Sequence, residues 1–144
     1  MRRVLTIVPA VAGLLFAAPV FADEWSEQVQ GFIEAAAETY IENGYHYGGY
    51  SHEGSLDDDA SERLTIRIGA GMETQLFGVC DTDCEDLDLT LYDPSGQEVD
   101  SDLELDDFPI VSAKPGKDGV YTILVSMADC DVDPCRYAIQ QFVK

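Results

Sequence analysis

Three stretches of this chain place an apolar side chain at every second position. Leu64, Ile66 and Ile68 alternate with Thr65 and Arg67, Leu87, Leu89 and Leu91 with Asp88, Thr90 and Tyr92, and Tyr121, Ile123 and Val125 with Thr122 and Leu124. A period of two puts all the apolar groups on one face of an extended strand and the polar ones on the other, a pattern no helix can use. Residues 73–79, 97–101, 109–113 and 136–143 read as further strands. Asp93-Pro94-Ser95-Gly96 and Lys114-Pro115-Gly116-Lys117-Asp118-Gly119 carry the residues that make tight turns between them. Seven or eight short strands at regular spacing predict an all-β chain, a jelly-roll-like antiparallel β-sandwich over residues 61–144.

Before Arg63 the period is helical. Trp25, Val29, Phe32, Ile33, Ala36, Ala37, Tyr40 and Ile41 recur at threes and fours, and Asn43-Gly44 supplies a stop, so residues 23–43 are expected to form one amphipathic helix. Glu34, Glu38 and Glu42 lie four apart on the opposite face. Packing of the apolar stripe on the domain's own sheet is the expectation, since a small sandwich gains by covering apolar area. Residues 44–60, rich in Gly, Tyr, His and Asp, read as a linker. His46, His52 and Glu53 within it have ligand chemistry but no fixed geometry on a glycine-rich segment, and packed aromatics are the preferred reading.

The first 22 residues have the form of a signal peptide: Met1-Arg2-Arg3, an apolar stretch to Val20, and small residues at the positions that a peptidase reads before Asp23. Pro9, Gly13 and Pro19 interrupt that stretch, so it is not expected to serve as a membrane span. Cleavage would leave 122 residues carrying 6 basic against 28 acidic groups, a formal charge of −22. Such a surface repels phosphate backbones, which argues against nucleic-acid binding and leaves cations, a protein or a polysaccharide as partners. The expected location is periplasmic or secreted, with no membrane span after signal cleavage.

Export makes disulfides the natural fate of the four cysteines, Cys80, Cys84, Cys130 and Cys135. A cross-linked Cys80 to Cys130 bridge would restrict the unfolded chain more, about 4 against about 2 kcal/mol for a short loop. Proximity favours the local pairs, Cys80 with Cys84 and Cys130 with Cys135. A zinc site is disfavoured, because zinc knuckles usually space their thiolates by two residues.

Asp86-Leu87-Asp88-Leu89-Thr90-Leu91-Tyr92-Asp93-Pro94-Ser95-Gly96, followed at a distance by Gly119-Val120-Tyr121-Thr122-Ile123-Leu124-Val125, resembles the bacterial pre-peptidase C-terminal domains. Those are jelly-roll-like sandwiches appended to secreted proteases and related to the collagen-binding modules of clostridial collagenases. The resemblance covers about residues 61–144 and implies a noncatalytic binding or stabilising domain, with calcium sites in some members. No ligand residue transfers by alignment. The chain departs from the family in its cysteine-bracketed acidic loops and in holding no protease domain within its 144 residues.

If successive strands run antiparallel, every second connection falls at the same end of the sandwich. Residues 57–62, 80–86, 102–108 and 128–135 then share one end, and the turns around 69–71, 93–96 and 114–119 share the other. Carboxylates gathered without a counter-ion raise one another's pKa, and a divalent cation relieves that. The candidate ligands are Asp81, Asp83, Asp86, Asp106, Asp107, Asp129, Asp131 and Asp133, and Ca2+ suits a flexible cluster of oxygens better than Mg2+. The alternating acids at 81–85 and 129–133 begin like an EF-hand loop but fail its pattern. Asp86 and Pro134 stand where its glycine belongs, and Tyr92 and Gln140 where its bidentate glutamate belongs.

The expected function is therefore a noncatalytic exported binding or stabilising domain, whose acidic loops at one end of the sandwich either hold Ca2+ or serve only as turns and a solubilising surface. The alternative is a structural envelope or protein-interaction domain with no metal, acting through its N-terminal helix. No catalytic residue is expected: Gly49-Tyr50-Ser51-His52-Glu53-Gly54 is one residue too long for the serine-hydrolase elbow, and an excess of acids marks no particular pair for glycosidase chemistry.

Overall fold

The chain forms eight strands and one helix in the computed structural model, which describes residues 24–144. The expected signal peptide lies outside the described residues. In chain order the elements are α1 (Glu24–Glu42), β1 (His46–Leu56), β2 (Ser61–Ile68), β3 (Thr74–Cys80), β4 (Cys84–Tyr92), β5 (Glu98–Asp102), β6 (Ile110–Ala113), β7 (Gly119–Cys130) and β8 (Cys135–Val143). They form two four-stranded sheets, ordered β1-β8-β3-β6 and β2-β7-β4-β5, with every pairing antiparallel. That order is the jelly-roll arrangement of a sandwich, in which only β4 and β5 follow each other within one sheet.

The predicted alternation is what fills the space between the sheets. Ile66 and Ile68 of β2, Leu87, Leu89 and Leu91 of β4, and Ile123 and Val125 of β7 are all buried in one cluster, facing Leu76, Val111, Tyr137 and Ile139 of the other sheet. The outer face of the β1-β8-β3-β6 sheet is apolar as well, and α1 covers it. Val29, Ile33 and Ala37 are buried against Phe77, Val79, Ala138 and Phe142. The Tyr40 ring stacks on Phe142 with centroids 4.0 Å apart. The helix stops as its sequence demands, with the Asn43 side chain donating to the Thr39 carbonyl and Gly44 at φ 84°. Glu34, Glu38 and Glu42 are exposed. Among the described residues no helix is long and apolar enough to cross a membrane.

One expectation is corrected. Residues 44–60 are not a linker: residues 46–56 form β1, an edge strand paired with β8 from His46↔Val143 to Leu56↔Cys135, and the sandwich begins there rather than at residue 61. The segment lacks alternating apolar residues because its glycines serve the neighbouring strand. A Cβ on Gly54 would lie 2.7 Å from the Tyr137 ring, and one on Gly48 would collide with the Gln141 carboxamide. Both large β8 side chains lie across β1 where only glycine leaves room.

Candidate functional site

The expected sharing of ends is visible in the backbone. The Asp58 amide donates to the Asp133 carboxylate at 2.6 Å, the Asp131 amide to the Asp83 carbonyl at 2.8 Å, and the Leu87 amide to the Asp106 carbonyl at 3.0 Å. These bonds bring the β1–β2, β3–β4, β5–β6 and β7–β8 connections to one end. At the other end the Gly71 amide donates to the Pro115 carbonyl at 2.7 Å and the Ala70 amide to the Asp118 carboxylate at 2.7 Å. Two disulfides brace the acidic end, Cys80–Cys84 and Cys130–Cys135, which are the local pairs expected. Cys84 and Cys130 sit opposite each other in the β4–β7 ladder, so the two bridges are neighbours.

The eight candidate aspartates separate into two groups. The first is occupied with backbone. Asp81, only 1% exposed, accepts the Arg136 amide at 2.7 Å and the Asp83 amide at 3.3 Å. Asp133 accepts the Asp58 amide, Asp83 contributes its carbonyl to Asp131, and Asp131 is exposed. These side chains and loops pin the connections together, as aspartates in turns do.

The second group faces like charge. Asp86 stands directly across from Asp129 in the β4–β7 ladder. Its Oδ1 is buried and has no hydrogen-bond partner among the described residues. Burial first, then the negative charges of Asp106 and Asp129, raise its pKa above the ordinary aspartate value. Asp107 is raised by burial and then by Asp106. Asp106 itself accepts the Phe108 amide at 2.9 Å. Asp88, which the sequence reading did not select, belongs to this group too, raised by burial and then by Asp86 and Asp102. It escaped selection because it sits in a strand, and only the strand register reveals which carboxylates stand beside it. Asp58 was also passed over, yet it accepts the Cys130 amide at 3.0 Å.

Among the described residues no three His, Cys, Asp or Glu side chains converge closely enough to hold a metal ion as they stand. The acidic end is a charged surface rather than a formed coordination shell. His46 and His52 do not approach each other as ligands either: both lie on β1, and the His52 ring rests 5.8 Å from the Tyr137 ring.

The raised aspartates set a pH dependence. A carboxyl with a raised folded-state pKa contributes stability that is fully present below its unfolded pKa and lost as pH rises through the folded value. Asp81, Asp86, Asp88 and Asp107 act in this direction, burial being the first cause for each. Glu73, lowered first by the Tyr45 hydroxyl and then by Lys114, and Asp93, lowered first by the Ser95 hydroxyl, act oppositely. Those two face solvent, where screening weakens them. The thermal midpoint is therefore expected to rise as pH falls from neutrality toward the ordinary aspartate value of about 4. Melting curves across that interval check it, and a midpoint that falls throughout would contradict the arrangement.

No protein-family model matches the chain, and no curated protein is found to match it.

Proposed function

We propose that this chain is a noncatalytic exported binding or stabilising domain whose acidic end associates with Ca2+. The observation that carries the cation part is the buried, unpartnered Oδ1 of Asp86 opposite Asp129. A carboxylate held this way carries an electrostatic cost that a divalent ion offsets. Because the side chains do not converge as they stand, the ion is proposed to draw Asp86, Asp106 and Asp129 together and to neutralise them. Export to the periplasm or beyond is supported by two disulfides, which persist in oxidising compartments. The sandwich, with its likeness at residues 86–96 and 119–125 to the pre-peptidase C-terminal domains, supports a binding or stabilising role over a catalytic one. So does the placement of Gly49-Tyr50-Ser51-His52-Glu53-Gly54 in an edge strand, away from any strand-to-helix turn that would present a nucleophile.

Thermal unfolding with Ca2+, Mg2+ and chelator at fixed ionic strength tests the cation part. A ligand that binds only the folded state raises the midpoint by mass action. The expected result is a rise of several degrees with Ca2+ that Mg2+ does not reproduce and that Asp86→Asn abolishes. Asp86→Asn should itself raise the midpoint in chelator, since it removes the repelled charge. Equal small rises with both ions would reduce the acidic end to a screened, solubilising surface.

The second reading is a protein-interaction domain with no metal. Leu103 and Leu105 are 62% and 90% exposed in the acidic β5–β6 connection, which favours it. The helix would contribute through its exposed glutamates and Ile41, because Val29, Ile33 and Ala37 of its apolar stripe are already buried.

A further inference from the structure

β1 and β2 are the outermost strands of opposite sheets, and they do not pair with each other. Between them, at the end away from the acidic cluster, opens a cleft of about 500 Å³. Its size falls in the range of sites that take small molecules.

The cleft has an unusual floor. Gln141 is only 4% exposed and sits across from Leu76, on the face of β8 that Cys135, Tyr137 and Ile139 turn toward the core. Its carboxamide lines the cleft and makes no hydrogen bond to any described residue. A primary amide offers two donors and an acceptor oxygen, and it takes a place on the inner face of β8 that an apolar side chain would fill, with its polar atoms not sealed in the core but lining the cleft. Gly48, with no Cβ, lets the carboxamide lie against the β1 backbone. At the rim, Arg67 is exposed and makes no ion pair within the described residues, in a chain with 28 acidic groups. Tyr50, packed partly against the inter-sheet core, flanks the opening, while the Tyr47 ring turns to the helix side of the sheet against Phe142.

These features discriminate among ligands. A peptide adding itself to the β1 edge needs regularly spaced amides, and the β1 register shifts between Tyr47 and Ser51, alongside the cleft. A polyanion is repelled by the net charge of the whole molecule. A purely apolar ligand would strip water from the Gln141 amide and the Arg67 guanidinium and pair with neither. A ring of hydroxyl groups satisfies both, since each hydroxyl donates and accepts, and the C–H face of a pyranose fits a tyrosine ring.

We propose that the cleft between β1 and β2 is a binding site for a short neutral saccharide, whose hydroxyls are held by the Gln141 carboxamide and the Arg67 guanidinium. The site does not depend on a cation at the acidic end, so its test is run in chelator. The oxidised, isotopically labelled chain is titrated with glucose, N-acetylglucosamine and maltotriose, and separately with the tripeptide Gly-Tyr-Gly, while the Gln141 side-chain amide and the Gly48 and Gly49 backbone amides are followed by NMR. At least one saccharide is expected to shift these signals saturably. Gln141→Leu should weaken that binding about tenfold or more while the rest of the spectrum is retained. Arg67→Ala, at an exposed position that the fold does not need, should weaken it several-fold. No saturable shift with any of the three sugars, shifts located elsewhere, or a response to the tripeptide alone would each overturn the proposal.

Discussion

Replacing Cys80, Cys84, Cys130 and Cys135 together by alanine is expected to lower the unfolding free energy by about 4 kcal/mol, roughly 2 for each short loop released in the unfolded chain. The bridges span only 4 and 5 residues in sequence. That loss is large beside the roughly 5–15 kcal/mol by which domains of this kind are stable. Their position makes the effect more than entropic. All four cysteines are buried, and they tie the β3–β4 and β7–β8 turns into the end where carboxylates repel one another. Alanine rather than serine is the informative replacement, because a buried hydroxyl would add an unsatisfied polar group. Urea denaturation of the oxidised and the alanine proteins measures the difference. A change under about 1 kcal/mol would mean that the acidic end is held by its hydrogen bonds alone.

Phe142→Ala should cost about 3–5 kcal/mol, the usual range for emptying a fully buried aromatic site. Phe142 is 0% exposed and stacks on Tyr40 at 4.0 Å, with the Tyr47 ring 5.3 Å away on the same side. It is the β8 side chain on which the C-terminal half of α1 rests. A 19-residue helix gains little stability in water by itself, so removing its platform should also release it. The expected signature is loss of helical circular dichroism together with faster proteolysis between residues 24 and 42, while the two disulfides stay intact. If the helical signal persists and stability falls by less than about 1 kcal/mol, α1 is held by its N-terminal contacts and is free to present its C-terminal half to a partner.

Residues 24–42 and the strands of the core were legible because their signals are local. A stripe at threes and fours or an alternation of two can be read from neighbours in sequence, and Asp93-Pro94-Ser95-Gly96 turns whatever lies around it. The disulfide partners were legible for the same reason, each cysteine having its mate a few residues away. Even the gathering of acidic connections at one end followed from counting strands, since antiparallel order alone fixes which turns share an end.

Tertiary structure decided the rest. β1 carries no alternation, and it becomes a strand because β8 offers an edge of unpaired backbone groups and needs glycine beneath Tyr137 and Gln141. Asp86 is distinguished from the other aspartates only by the β4–β7 register, which sets it against Asp129 and buries one of its oxygens. Gln141 looks like an ordinary polar residue near a chain end until the sandwich places it on the inner face of β8. Sequence alone thus determined the elements and their ends, because periodicity and turn chemistry act between near neighbours. Which side chains are pressed together depends on register between distant strands, and that is where the energy of charge and burial is set.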